Sequence, residues 1–149
     1  MLMDTRLGDL VGALDLITDD KVWLAAVNQS VLDEIARLIT EDQLASGIDG
    51  QGRQLGEYAP LSVMIRRELG LQTKFIDLHL TGEFYESITA TVTRYGITID
   101  GEGQKPNQNL FTAFGDDIID LTDENTEYVV EEIRDNVIAY ILEAMGFDS

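Results

Sequence analysis

Residues 87–100 read Ser-Ile-Thr-Ala-Thr-Val-Thr-Arg-Tyr-Gly-Ile-Thr-Ile-Asp, and no other stretch limits the fold so strongly. β-Branched side chains dominate it; they lose rotamer freedom in a helix and pack well on a pleated surface. Tyr95-Gly96 breaks the run where a tight reversal is needed, so the segment reads as a strand, a turn and a returning strand. The flanking sequence has helical spacing instead. The predicted class is α+β: a small antiparallel β-sheet, the hairpin around 87–100, packed against a long N-terminal helix and a C-terminal helix.

The helices follow from apolar periodicity. Leu7, Leu10, Val11, Leu14 and Ile17 predict a short amphipathic helix at about 5–17. Thr18-Asp19-Asp20 is a start signal, a capping hydroxyl followed by acids. The helix it opens, about 19–46, carries Leu24, Val27, Val31, Ile35, Leu38 and Ile39 on one face and stops at Gly47. Residues 47–60 form a glycine-rich loop, extended or turning at Asp49-Gly50, that ends at Pro60. A brief helix at about 61–69 has Met64, Ile65 and Leu69 as its apolar residues.

Residues 75–80 alternate, with Ile76, Leu78 and Leu80 on one face and Phe75, Asp77 and His79 on the other, which predicts a half-buried strand and a β-unit over 75–100. Thr81 caps a short turn at 83–86, where Glu83 and Glu86 lie near the positive end of its dipole. Residues 101–109 are a polar loop of the kind that protrudes toward a partner. Residues 118–121, Ile-Ile-Asp-Leu, are a possible extension of the sheet. Thr122-Asp123-Glu124 repeats the start signal ahead of a C-terminal helix, about 123–145, striped by Val130, Ile133, Val137, Ile141 and Ala144. The sequence Ile-Asp-Gly-x-Gly occurs at Ile48 and at Ile99 with unlike flanks, so it marks two turns and no repeat. At 149 residues the chain fits one domain, 1–149.

Charge narrows the function classes. There are 28 acidic and 10 basic residues, a net charge of −18, and beyond Asp116 Arg134 is the only basic residue. Such a surface repels nucleic acid, whose binding begins with Lys and Arg on phosphates, so sequence-specific nucleic-acid binding is not expected. Solubility, a repulsive wall beside a DNA passage and DNA mimicry are three uses of the acidity. The absence of cysteine excludes disulfides and thiolate sites. No stretch is apolar enough to span a bilayer and no leader pattern opens the chain, so a soluble, intracellular protein is expected before any assembly.

Signs of catalysis are thin. His79 is the only histidine, which leaves neither a triad nor a zinc ligand set, and no phosphate-binding glycine motif occurs. Asp-Gly turns at 49–50 and 100–101 and the pair Asp116-Asp117 offer oxygen ligands but lack the loop spacing of a calcium hand; they read as turns and solvated acids. Glu83 and Glu86 stand one helical turn apart and do not face each other across a cleft as a glycosidase pair does. Arg66, Arg67 and Lys74 form the densest basic patch, suited to acids of a neighbouring element or subunit. Phe84, Tyr85, Tyr95 and Trp23 read as core aromatics, with a subunit interface as their other use. No cofactor, no metal and no enzymatic activity are expected.

The motif Thr81-Gly82-Glu83-Phe84-Tyr85-Glu86-Ser87-Ile88, a TG-x-Φ-x-x-S-I pattern feeding a hairpin, resembles the tail-completion and virion-morphogenesis (head–tail neck) proteins of tailed phages. The acidic run 114–125 matches the same proteins, and residues 47–58 resemble a loop of small structural proteins from phages of Bacteroides-type gut hosts. The resemblance implies a virion structural protein: a homo-oligomeric ring of roughly 6 or 12 copies at the head–tail junction or tail, formed in the host cytoplasm. Its partners would be other neck, portal or tail proteins around the DNA channel, with no membrane contact. The residues it singles out for interfaces are Asp49, Gly50, Arg53 and Tyr58 in one loop, Gly101, Lys105 and Asn109 in another, and Thr81, Phe84 and Ser87 as supports of the hairpin. The alternative is a soluble acidic DNA mimic that inhibits a DNA-handling enzyme during infection.

Overall fold

The computed structural model of this chain describes residues 19–146. The helix expected at 5–17 lies outside them. Helix α1, Asp19–Ala26, is followed after a two-residue break by α2, Gln29–Arg37. The single helix expected over 19–46 is therefore shorter and divided. Asn28 explains the break: its side chain accepts the Val31 N–H at 3.0 Å and restarts the helix as an N-cap. α2 then widens into a π-helical segment, Leu38–Gln43, and tightens into a 3₁₀ turn, Leu44–Ser46.

The apolar stripe nevertheless faces inward. Val27, Val31, Ile35, Leu38 and Ile39 are buried, while Leu24 is on the surface. Gly47 closes the segment at φ 79°, and a Cβ there would come within 2.6 Å of the Phe75 ring. Only glycine combines that backbone angle with that approach.

Residues 47–58 fold back on themselves through a bridge between Ile48 and Gln54. Helix α3, Pro60–Glu68, comes next, with proline at its first position. The strand expected at 75–80 is absent: this stretch is irregular, and Leu78 adopts φ 57°. Its alternation reflects contacts with α3 and Tyr85, described below, and no sheet ladder forms. The short helix α4, Glu83–Ser87, leads into β1, Thr89–Thr93, and β2, Gly96–Asp100, which pair antiparallel with Thr93 opposite Gly96 and Thr89 opposite Asp100.

The hairpin register places Ala90, Val92, Ile97 and Ile99 on the face toward the core and the threonines toward solvent. β1 packs against α2. Phe84, Ile88 and Ala90 join Val31, Ile35 and Ile39 in one apolar cluster that also takes in Leu110, Ile118 and Val129. The aromatic residues do not form one group. Phe84 is core, Trp23 donates its indole N–H to the Thr93 carbonyl at 2.7 Å, and Tyr95 sits at the hairpin tip, 83% exposed.

After β2, residues 101–109 form a loop that is exposed at Gln104 and from Pro106 to Gln108 and closes on itself. Lys105 N–H donates to the Gln108 carbonyl, Gln104 bridges Asn109, and Gly103 lies buried against Phe111. Helix α5, Leu110–Phe114, and a 3₁₀ turn, Asp116–Ile119, follow, so residues 118–121 add no strand to the sheet. Helix α6, Asp123–Ala144, starts where Thr122 accepts the Asn125 N–H and packs along α1. Its buried positions are Asn125, Val129 and Ile141, with Ile133 partly covered; Val130 and Ala144, expected in the inward stripe, are exposed. No described helix is long and apolar enough to cross a membrane.

Candidate functional site

α3 is turned inside out relative to an ordinary surface helix. Ser62, Val63 and Arg66 face the protein, whereas Leu61, Met64, Ile65 and the following Leu69 point outward, Met64 being 63% exposed. The reason is Arg66, only 4% exposed. A buried guanidinium is tolerated when its N–H groups find acceptors. Here Nη2 meets Asp77 Oδ1 at 3.0 Å, Nε donates to the Gln72 carbonyl at 2.8 Å and Nη1 to the His79 carbonyl at 2.6 Å. The guanidinium also lies 4.3 Å from the centre of the Tyr58 ring. Holding Arg66 inward forces the apolar side of a 3.6-residue repeat outward.

Asp77 is the hub of the cluster. Its carboxylate accepts the Tyr58 hydroxyl at 2.8 Å and the His79 N–H at 3.0 Å, and its carbonyl accepts the Tyr85 hydroxyl at 2.6 Å. Burial pushes the Tyr58 and Tyr85 hydroxyls above the ordinary tyrosine range, and the negative charge of Asp77 adds to the effect on Tyr85. The His79 ring packs edge-on against Tyr85, 4.8 Å between centres. These bonds replace the ladder that residues 75–80 lack and fix that segment against α3.

Beside α3 runs a groove of ≈ 370 Å³. Ile65 and Tyr58 form one wall, Leu78 and Leu80 another, and Lys105 and Pro106 close it. Leu80 adds another exposed apolar side chain next to those of α3. Arg67, Lys74 and Lys105 make no ion pair among the described residues, unlike Arg53 and Arg66. The result is an apolar face that also carries the exposed Glu68, with Lys105 in the wall of the adjoining groove. A face of this kind can bind an apolar protein surface.

Tyr58 and Lys105, drawn from two loops far apart in sequence, thus meet at one groove. The other residues expected at interfaces hold the scaffold in this structure. Asp49 is buried and accepts the Gln51 and Arg53 N–H groups. Gly50 donates to the Asp117 carbonyl at 2.8 Å and packs so closely on Asp120 that a Cβ would fall 2.6 Å from its side chain. Arg53 is exposed and pairs with Asp117 at 3.0 Å.

Thr81 accepts the Glu83 N–H, and Phe84 is core. Ser87 links α4 to the next loop by donating to the Phe84 carbonyl and accepting the Glu102 N–H. Gly101 lies against Ile88 and Phe84, and Asn109 caps α5 through the Phe111 and Thr112 N–H groups. The face of α3 itself was missed by sequence reasoning. Its signal is there, Leu61, Met64 and Ile65 at i, i+3 and i+4, but such a stripe does not say whether it points inward or outward.

Among the described residues no group of three or more His, Asp or Glu side chains is placed to hold a metal ion. No family model, curated protein or solved structure matches this chain.

Proposed function

We propose that this chain is a structural subunit of a tailed-phage virion, part of a homo-oligomeric ring in the head–tail neck, tail-completion complex or tail, whose copies meet through the face of α3. The observation that carries the reading is that face: Leu61, Met64, Ile65 and Leu69 exposed on one short helix, with Leu80 beside them. Burying such a side chain in a contact contributes about 1.5–3 kcal/mol, so a handful are enough to hold subunits together. The TG-x-Φ-x-x-S-I resemblance at Thr81 to Ile88 supports the phage assignment, and the net charge of −18 suits a wall that keeps DNA from adhering as it passes. In this reading the protein is no enzyme and carries no cofactor; its partners are its own copies and the neighbouring neck, portal or tail proteins.

The test is quantitative mass spectrometry of purified particles from an infected culture. The expected result is roughly 6 or 12 copies per particle, as for a closed cyclic assembly. Abundance in infected cells with absence from particles would overturn the structural reading and favour the DNA-mimic inhibitor.

A further inference from the structure

The two strands of the hairpin are not covered alike. α2 packs against β1, but no described helix packs on β2 to the same extent, and the core-side residues Ile97 and Ile99 stay half-exposed. Beside them, between the hairpin and α6, is a groove of ≈ 410 Å³ whose other apolar walls include Trp23, Leu121, Val130 and Ile133. Asp120 and Thr126, both exposed, are its polar residues.

The described chain enters at one end of this groove. Asp19 begins α1, Arg94 lies 3.8 Å from Asp20, and Trp23, one helical turn past Asp19, donates to the Thr93 carbonyl while it lines the groove. Thr93 stands opposite Gly96, so the residues leading into α1 arrive beside the hairpin tip, where β2 starts. Those residues include Leu7, Leu10, Val11, Leu14 and Ile17, the apolar stripe of 5–17. As a helix, residues 5–17 would be about 20 Å long, against about 16 Å for β2.

We infer that residues 5–17 form an amphipathic helix that turns back before Asp19 and seats its apolar stripe in the β2 groove of its own chain. A helix this short, carrying Gly8 and Gly12, is marginal alone in water, so its stripe needs a surface. The tether selects both surface and occupant. A segment joined to α1 by so short a link has an effective concentration on the order of millimolar. A second copy would instead bring its own charge of −18 against this one and lose translational freedom on association. The groove beside α3 takes its walls from residues 58–80 and 105–110 and none from α1 or the hairpin, so the tether favours the β2 groove. At 3.6 residues per turn Asp9 falls on the side opposite the stripe and stays in water. This docking does not depend on the ring reading, and it leaves the face of α3 free for contacts between copies.

The chain has no cysteine and a single tryptophan, which lines the groove, so the full chain suits two direct measurements. Val130→Cys is combined with Leu10→Cys, with Leu14→Cys and, as a control on the same tether, with Asp9→Cys. Under mild oxidation of dilute protein, an intramolecular disulfide is expected about tenfold faster from position 10 or 14 than from position 9, reflecting the raised effective concentration in a specific contact. Leu10→Asp with Leu14→Asp is expected to shift Trp23 emission to the red as water reaches the indole. Equal closure rates from positions 9, 10 and 14 would overturn the docking, because a tethered segment that does not dock presents every side alike. Disulfides formed only between copies would overturn the same-chain occupant. Faster closure of Leu10→Cys onto Met64→Cys than onto Val130→Cys would put the stripe on α3 and overturn the groove assignment, as would Trp23 emission unchanged by the two aspartates.

Discussion

Asp77 shows how much of this protein depends on single side chains. It holds Arg66, Tyr58 and Tyr85 together, and through them it sets the rotation of α3 and the path of residues 75–80. A buried pair stabilises little relative to apolar replacements, but breaking it leaves an uncompensated charge. Asp77→Ala is therefore expected to cost about 3–5 kcal/mol, read as a lowered urea midpoint. Replacing both partners, Arg66→Met with Asp77→Leu, should recover much of that loss. If the double variant were as unstable as the single one, the hydrogen bonds to the Gln72 and His79 carbonyls would be the larger contribution. None of this was visible in the alternation of residues 75–80, because a carboxylate that binds a distant arginine and one that faces solvent occupy the same place in a polar–apolar pattern.

At the scale of elements, the polar joint between the end of α2 and the start of α6 centres on one amide, Gln43. The π-helical widening at Leu38–Gln43 turns Gln43 fully inward, and Thr40 Oγ1 donates to the Ala36 carbonyl within it at 2.9 Å. Gln43 Nε2 donates to the Asp120 carbonyl at 2.7 Å, and its Oε1 accepts the Thr122 N–H and the Asn125 amide, each at 2.9 Å. The end of one helix thereby fixes the cap of another. Gln43→Leu leaves the Asp120 carbonyl and the Thr122 N–H without partners, while the Asn125 amide keeps Asp42, and it is expected to destabilise by about 1–3 kcal/mol in chemical unfolding followed by circular dichroism. Adding Asn125→Leu should cost less than its effect alone, since both act on one network. Full additivity would mean that the two residues work independently. The start signal at Thr122 and the length of α6 were legible in the sequence; the π-helical segment was not, because its cause is a hydrogen bond to residues about eighty positions away.

The molecule as a whole carries far more negative charge than its ion pairs neutralise. Surface pairs such as Arg134 with Glu131 and Arg37 with Glu34 are exposed and contribute little, so the net effect of the charge is self-repulsion. Raising salt from about 0.01 M to about 0.15 M shortens the Debye length from about 30 Å to about 8 Å and screens that repulsion. Tm is expected to rise by several degrees over that range in differential scanning calorimetry. A fall would show that attractive pairs outweigh the repulsion.

The sequence by itself determined the class, the hairpin and the C-terminal helix. β-Branched alternation around Tyr95-Gly96 permits a hairpin and little else, and the cap at Thr122 acts through atoms within a few residues; the cap at Asn28 is equally local but is hidden in a continuous apolar stripe. The tertiary structure decided orientation. Whether Met64 and Ile65 enter the core or face solvent depends on where Arg66 finds its carboxylate, and whether Tyr58 and Lys105 line one groove depends on how two loops fold around α3. Periodicity records which residues share a side of an element; the side that is buried is settled by partners distant in the chain, and no local pattern encodes them.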